Sequence, residues 1–296
     1  MMAGFIMAGR MQAAIFVIVS TLVSLMLPPM IIFSNAAIAL ITLRKGWQQG
    51  LIYSLIATVT LIIISGFLKQ NVASGLFAGL VTWLPILFFA SVLAITQSWS
   101  KTLQLILLIA LLGVLFFHLL QPDASAFWLK IMEPMKPLLE SNYQVAGADF
   151  DKNIELASKW LTSTFAAALA LLTVISLMMA RNWQSLLYNP GGFGEEFRQI
   201  RLGKPAATGL LIGMAIAVFT NNQLITELII VGLAIFMFQG LSLIHGIVNI
   251  RGLSGGWLIA LYVLMLLLLI QMTVLLATLG VIDNFVDFRQ KQASKQ

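Results

Sequence analysis

Cysteine is absent from this 296-residue chain, and charge is scarce: 11 Asp and Glu with 17 Lys and Arg make up 9% of residues. Without thiols there is no disulfide, no thiolate nucleophile and no Cys-based metal site. There are only two histidines, His118 and His245. Neither has a second His at helix spacing, so the three or four convergent ligands of a metal site are not expected. Asp, Glu, Lys and Arg are missing from the interior of the apolar runs; Glu227 lies within a few residues of the outer end of its run. Ion-coupled pumps keep an ionisable group at depth, so an autonomous one is disfavoured. Ser/His/Asp, His-Glu-x-x-His and paired-Asp arrangements are likewise missing at depth, and the chain reads as non-catalytic.

The remaining composition is 60% hydrophobic, with a mean hydropathy of +0.97. A soluble domain carries about a quarter charged residues. Apolar runs of the ~20 residues that cross a bilayer recur from end to end, and lipid leaves open strands no backbone partner. The predicted fold is therefore all-α, a polytopic membrane bundle of eight or nine helices. The net charge of +6 and pI near 9.7 come from Lys and Arg in short loops, as the positive-inside rule describes. No basic stripe interleaved with aromatics points to nucleic acid.

The apolar segments read as 11–27, 30–43, 50–67, 75–96, 103–120, 158–180, 205–219, 224–248 and 257–280. Pro28-Pro29 closes the first, and Pro85 is expected to kink the fourth. Residues 121–157 hold six acids (Asp123, Glu133, Glu140, Asp149, Asp151, Glu155) against three lysines, and are placed outside. The division in chain order is a six-segment bundle over 1–180, a cytoplasmic hub loop over 181–206, and a three-helix segment with a short tail over 207–296. The N-terminus is placed in the cytoplasm of a bacterium and the bundle in its inner membrane.

Three groups of residues are candidate sites. Gln239, Ser242, His245 and Asn249 share about a third of one helix circumference. They form either a polar seam that glues helices or a face lining a ligand-binding cavity. The hub carries Asn189-Pro190-Gly191-Gly192-Phe193-Gly194. It lacks the Gly-Lys-Ser/Thr of a phosphate loop and the strand of a dinucleotide fold, so no cofactor is expected. A turn followed by a short interfacial helix over 195–202 is expected there, with Pro190, Gly191, Gly192, Phe193, Glu196 and Arg198 as partner-docking candidates. Gly209, Gly213 and Ala217 put small residues on one helix face, a helix-packing pattern. Asp283 and Asp287, four apart with Arg289 close by, read as a local ion pair or cap at a wet interface.

The stretches LPPMIIFSNAAIALITLRKGWQQG, NPGGFGEEFRQIRL and LGVIDNFVDFR resemble the YybS-like bacterial membrane proteins. That family has no established activity and transfers no catalytic residues. The first six segments also resemble the substrate-capture subunits of energy-coupling-factor importers and the cell-shape protein MreD, through the Pro-broken entry, the small-residue second helix and Arg44-Lys45-Gly46. The resemblance implies a fold like those subunits over the first six segments. It further implies a non-catalytic subunit that captures a small molecule, unidentified, and depends on protein partners. The alternative is a membrane scaffold that recruits a cytoplasmic partner through 190–202.

Overall fold

The computed structural model describes residues 2–69, 71–137 and 148–289. Among these residues there are fourteen α-helices and no strand. In chain order they are α1 (Met2–Ala8), α2 (Arg10–Met26), α3 (Ile31–Lys45), α4 (Trp47–Phe67), α5 (Val72–Thr96), α6 (Trp99–Leu120), α7 (Ala124–Met132), α8 (Ala148–Ser158), α9 (Leu161–Tyr188), α10 (Gly192–Phe197), α11 (Gly203–Thr220), α12 (Gln223–Ile250), α13 (Gly256–Leu267) and α14 (Leu269–Val286). Seven of them are long and apolar enough to cross a membrane: α4, α5, α6, α9, α11, α12 and α14. The helices α2 and α13 are apolar but shorter. The protein is an all-α, multi-pass membrane protein. Glu140 and the tail lysines Lys291 and Lys295 lie outside the described residues.

Two compact units share the chain: residues 1–103 with 171–200, and residues 104–170 with 201–296. The first unit is built around α3. Every residue from Ser34 to Thr42 is buried, so this helix is surrounded on all sides, its polar Ser34, Asn35 and Thr42 included. Its alanines at 36, 37 and 39 leave room for neighbours. A Cβ on Gly50 would stand 2.7 Å from Leu87 Cδ1, so α4 and α5 meet closely where α3 ends. Gly75 and Gly79 repeat the device further along α5; a Cβ on Gly75 would lie 3.0 Å from the Leu61 carbonyl oxygen. Thr21 Oγ1 and Ser34 Oγ, 3.0 Å apart, tie α2 to α3. The helix α5 runs through Pro85 without a break.

Three segment boundaries differ from expectation. The sixth run, expected to stop at Ala180, continues as α9 to Tyr188. Trp183 there meets Phe16 and Phe33, with ring centroids 6.1 and 6.3 Å apart. The Arg44 guanidinium lies 3.8 Å over the Tyr188 ring. The hub's short helix is Gly192–Phe197 rather than 195–202. The run expected as one span over 257–280 is two helices, parted at Leu268 (φ −130°, ψ 51°), and the second continues to Val286.

In the second unit the closest backbone approach is between α12 and α14. A Cβ on Gly240 would sit 1.9 Å from the Leu276 carbonyl oxygen, and one on Gly280 2.7 Å from that of Phe236. The small-residue face of α11 is different. Nothing lies within 4 Å of a Cβ built on Gly209, and Gly213 meets only Ile229, at 3.7 Å. Ala217 is half-buried.

Candidate functional site: a buried carboxylate and imidazole

Asn222 caps α12 by accepting from the Ile225 amide, which fixes the first turn and the residues it presents. Gln223 and Glu227, one turn apart, then share a face. Glu227 is fully buried. His118 Nε2 stands 2.9 Å from its Oε2, and Gln223 Nε2 donates to its Oε1 at 2.9 Å. The same amide group donates to the Lys159 carbonyl at 2.8 Å, joining the start of α12 to the chain entering α9. The His118 side chain is 18% exposed and Glu227 0%, so the imidazole is the member that the surroundings reach.

Aromatic rings adjoin the imidazole. Phe117 packs edge-on to His118, meets Phe127 at 5.2 Å and stacks on Trp128 at 5.8 Å. The Trp128 indole donates to Thr162 Oγ1 at 2.8 Å, which fixes its ring against Phe165. Asp123 caps α7 through the Ala126 amide and so orients Phe127 and Trp128. The acid expected near the outer end of its run is thus buried rather than at water. Glu227 is near its helix end along the chain, yet it is enclosed by residues from α6 and the α8–α9 connection.

A second polar layer lies roughly 18 Å further along α12, twelve residues at about 1.5 Å each. Gln239, fully buried, accepts from the Leu202 amide at 2.8 Å and from Asn284 Nδ2 at 3.3 Å. Gly203, held at φ +84°, donates to Asn284 Oδ1, and Gln104 Nε2 donates to the Leu202 carbonyl. Arg201 grips both oxygens of Asp287, and that hydrogen bonding raises its guanidinium above the ordinary value. Asp283 is fully buried, 3.3 Å from the Arg289 guanidinium. The expectation of a wet interface at Asp283 is therefore corrected, and Asp287 pairs across the chain rather than locally. Burial pulls the Arg289 guanidinium below its ordinary value, against the opposing effect of Asp283.

Of the predicted ligand face, Gln239 belongs to this layer and Ser242 is buried. His245 Nε2 lies 2.9 Å from Tyr262 Oη, and Asn249 is exposed. All four lie on α12. In the hub, Pro190 and Gly191 are exposed, Gly192 is buried, and Phe193 and Arg198 are half-buried. Glu196 is engaged: Arg181 donates to both of its oxygens at 2.9 and 2.6 Å, and Trp99 Nε1 donates at 3.2 Å. Phe193 meets the Trp99 ring edge-on, and its amide donates to Ser185 Oγ at 3.2 Å. Among the described residues no three His, Asp or Glu side chains cluster as metal ligands do.

No family model matches the chain. No curated protein and no solved structure matches it either. The cluster of half-buried His118 and Gln223 on buried Glu227 is what sequence reading did not assemble. The signal available was the i,i+4 pair on α12; the histidine comes from 109 residues away in the chain.

Proposed function

We propose that this membrane protein is a non-catalytic, transport-related subunit that captures a small cationic solute, of the protonated-amine class, at Glu227. The reading rests on one observation: a fully buried carboxylate in an apolar helix, satisfied by His118 and Gln223, with aromatic rings adjoining the imidazole. A carboxylate inside a membrane helix is costly and is a functional-site hypothesis by default. Aromatic faces add attraction for a cation once water is excluded. An incoming ammonium group displaces the imidazole and takes the Glu227 oxygen. Energy for movement comes from partner proteins. The loop arginines and lysines support a cytoplasmic N-terminus, and the three quoted motifs support membership of the YybS-like family in the bacterial cytoplasmic membrane.

Thermal unfolding of the purified protein against a panel of amines and their uncharged isosteres tests the site. Glu227→Gln keeps the shape and removes the charge. Stabilisation of the wild type by amines, lost in Glu227→Gln, supports capture there; an undiminished response in the variant refutes it.

The scaffold reading has its own support in Leu186, Leu187 and Tyr188, which are 63%, 40% and 47% exposed just before Pro190-Gly191. Photocrosslinking from Pro190 in cells tests it. A single recurrent cytoplasmic adduct supports recruitment, and lipid adducts alone retire it.

A further inference from the structure

We propose that the groove between α2 and α4 is a binding site for one anionic phospholipid, its phosphate held by Arg10 and Gln49 and its acyl chain lying along the apolar walls. The groove has a volume of about 370 Å³ and is lined by Arg10, Met11 and Ala14 from α2 and by Gln49, Ile52, Tyr53 and Ile56 from α4. The α4 residues follow the spacing i, i+3, i+4, i+7, which puts them on one face. The chain passes up α2, back through α3 and up α4, so α2 and α4 begin at the same end of this unit. Tyr53 Oη donates to the Arg10 carbonyl at 3.2 Å and holds the two helix starts together. Arg10 and Gln49 therefore stand at the polar mouth, and Ala14, Ile52 and Ile56 lie deeper.

Three further observations favour a lipid with a negative headgroup. Arg10 is exposed, and among the described residues no acid lies within ion-pair distance of it. Arg44 and Lys45 close α3 immediately before the turn into α4, adding positive charge at the same level. Trp47, 56% exposed at the first position of α4, is the amphipathic ring expected at headgroup depth. A phosphate meets guanidinium donors well, and beyond Tyr53, whose hydroxyl is spent on the Arg10 carbonyl, the wall of Ala14, Ile52 and Ile56 is apolar. The site is in the unit that does not contain Glu227, so it stands or falls separately from the capture site.

The test uses the full chain in nanodiscs of equal phosphatidylglycerol and phosphatidylcholine, with the lipids retained on extraction counted by native mass spectrometry. The wild type is expected to retain phosphatidylglycerol in preference. One basic residue at the membrane surface accounts for about a five-fold preference, so Arg10→Gln should lower the ratio about five-fold and Arg10→Lys should restore most of it. Ile52→Trp, at a position 48% exposed, should fill the groove and reduce retention of both lipids. Glycerol phosphate should not displace the lipid. Unchanged ratios in Arg10→Gln, unchanged retention in Ile52→Trp, or displacement by glycerol phosphate would each overturn the proposal.

Discussion

Gly240→Ala probes the contact on which the second unit is built. The new methyl would stand 1.9 Å from the Leu276 carbonyl oxygen and 2.6 Å from its carbon. Heavy atoms settle about 3.5–4.0 Å apart, so α12 and α14 must separate by roughly 1.5 Å, because a helix carbonyl cannot turn aside. Overpacking of this kind costs about 1–3 kcal/mol. The separation also strains the adjacent Gln239, whose oxygen serves the buried Leu202 amide; a buried donor left unpaired costs about 1–3 kcal/mol. Alanine returns about 1 kcal/mol through its better helix propensity. The expected net loss is about 1–5 kcal/mol. Gly209→Ala is the matched control, since nothing lies within 4 Å of its Cβ, and it should gain up to about 1 kcal/mol. Denaturant unfolding in detergent, followed by near-ultraviolet circular dichroism, reads both. If Gly240→Ala unfolds with the wild type, α12 and α14 do not approach as described.

Gln239→Leu should cost about 1–3 kcal/mol in the same assay, because it removes the acceptor of the Leu202 amide while adding no bulk; a neutral result would mean that water serves that amide instead. Glu196→Ala removes the acceptor shared by Arg181 and Trp99. With side chains only 18% and 31% exposed, the loss should be about 1–3 kcal/mol and depend little on salt. Asp287→Ala, whose pair with Arg201 is 30–37% exposed, should cost about 1 kcal/mol or less and lose that effect in high salt; the reverse order of the two would contradict the burial described for them.

Apolar runs in the sequence marked out the seven helices long and apolar enough to cross a membrane, because lipid permits little else. Boundaries were less legible where a side chain finds a distant partner. The extension of α9 to Tyr188 follows from Trp183 meeting Phe16 and Phe33, and from Arg44 over Tyr188. No Gly or Pro marks the break at Leu268, in a run of consecutive leucines. In the second unit the glycines that make close helix contacts were also not those of the small-residue stripe on α11. Gly209 and Gly213 follow the pattern but face open space or a single methylene, whereas Gly240 and Gly280 press on the backbone of Leu276 and Phe236 in the facing helix.

The polar groups escaped a one-dimensional reading for a geometrical reason. Gln104 and His118 are fourteen residues apart on α6, and their partners, Leu202 beside Gln239 and then Glu227, mark positions twelve residues apart on α12. At about 1.5 Å per residue these separations are roughly 21 and 18 Å, which agree for two helices running antiparallel. A hydrocarbon core about 30 Å thick is wider than either separation, and the stretch of α12 between the two layers is apolar. Along the chain, each polar residue therefore sits inside an otherwise unbroken apolar run or close to its end, where hydropathy counts it as a boundary. In three dimensions Glu227 and Gln239 are enclosed, because neighbouring helices pack over them. Position along a helix determines distance from water only when the helix is alone in lipid, and α12, two-thirds buried across its span, is the helix for which that assumption fails most.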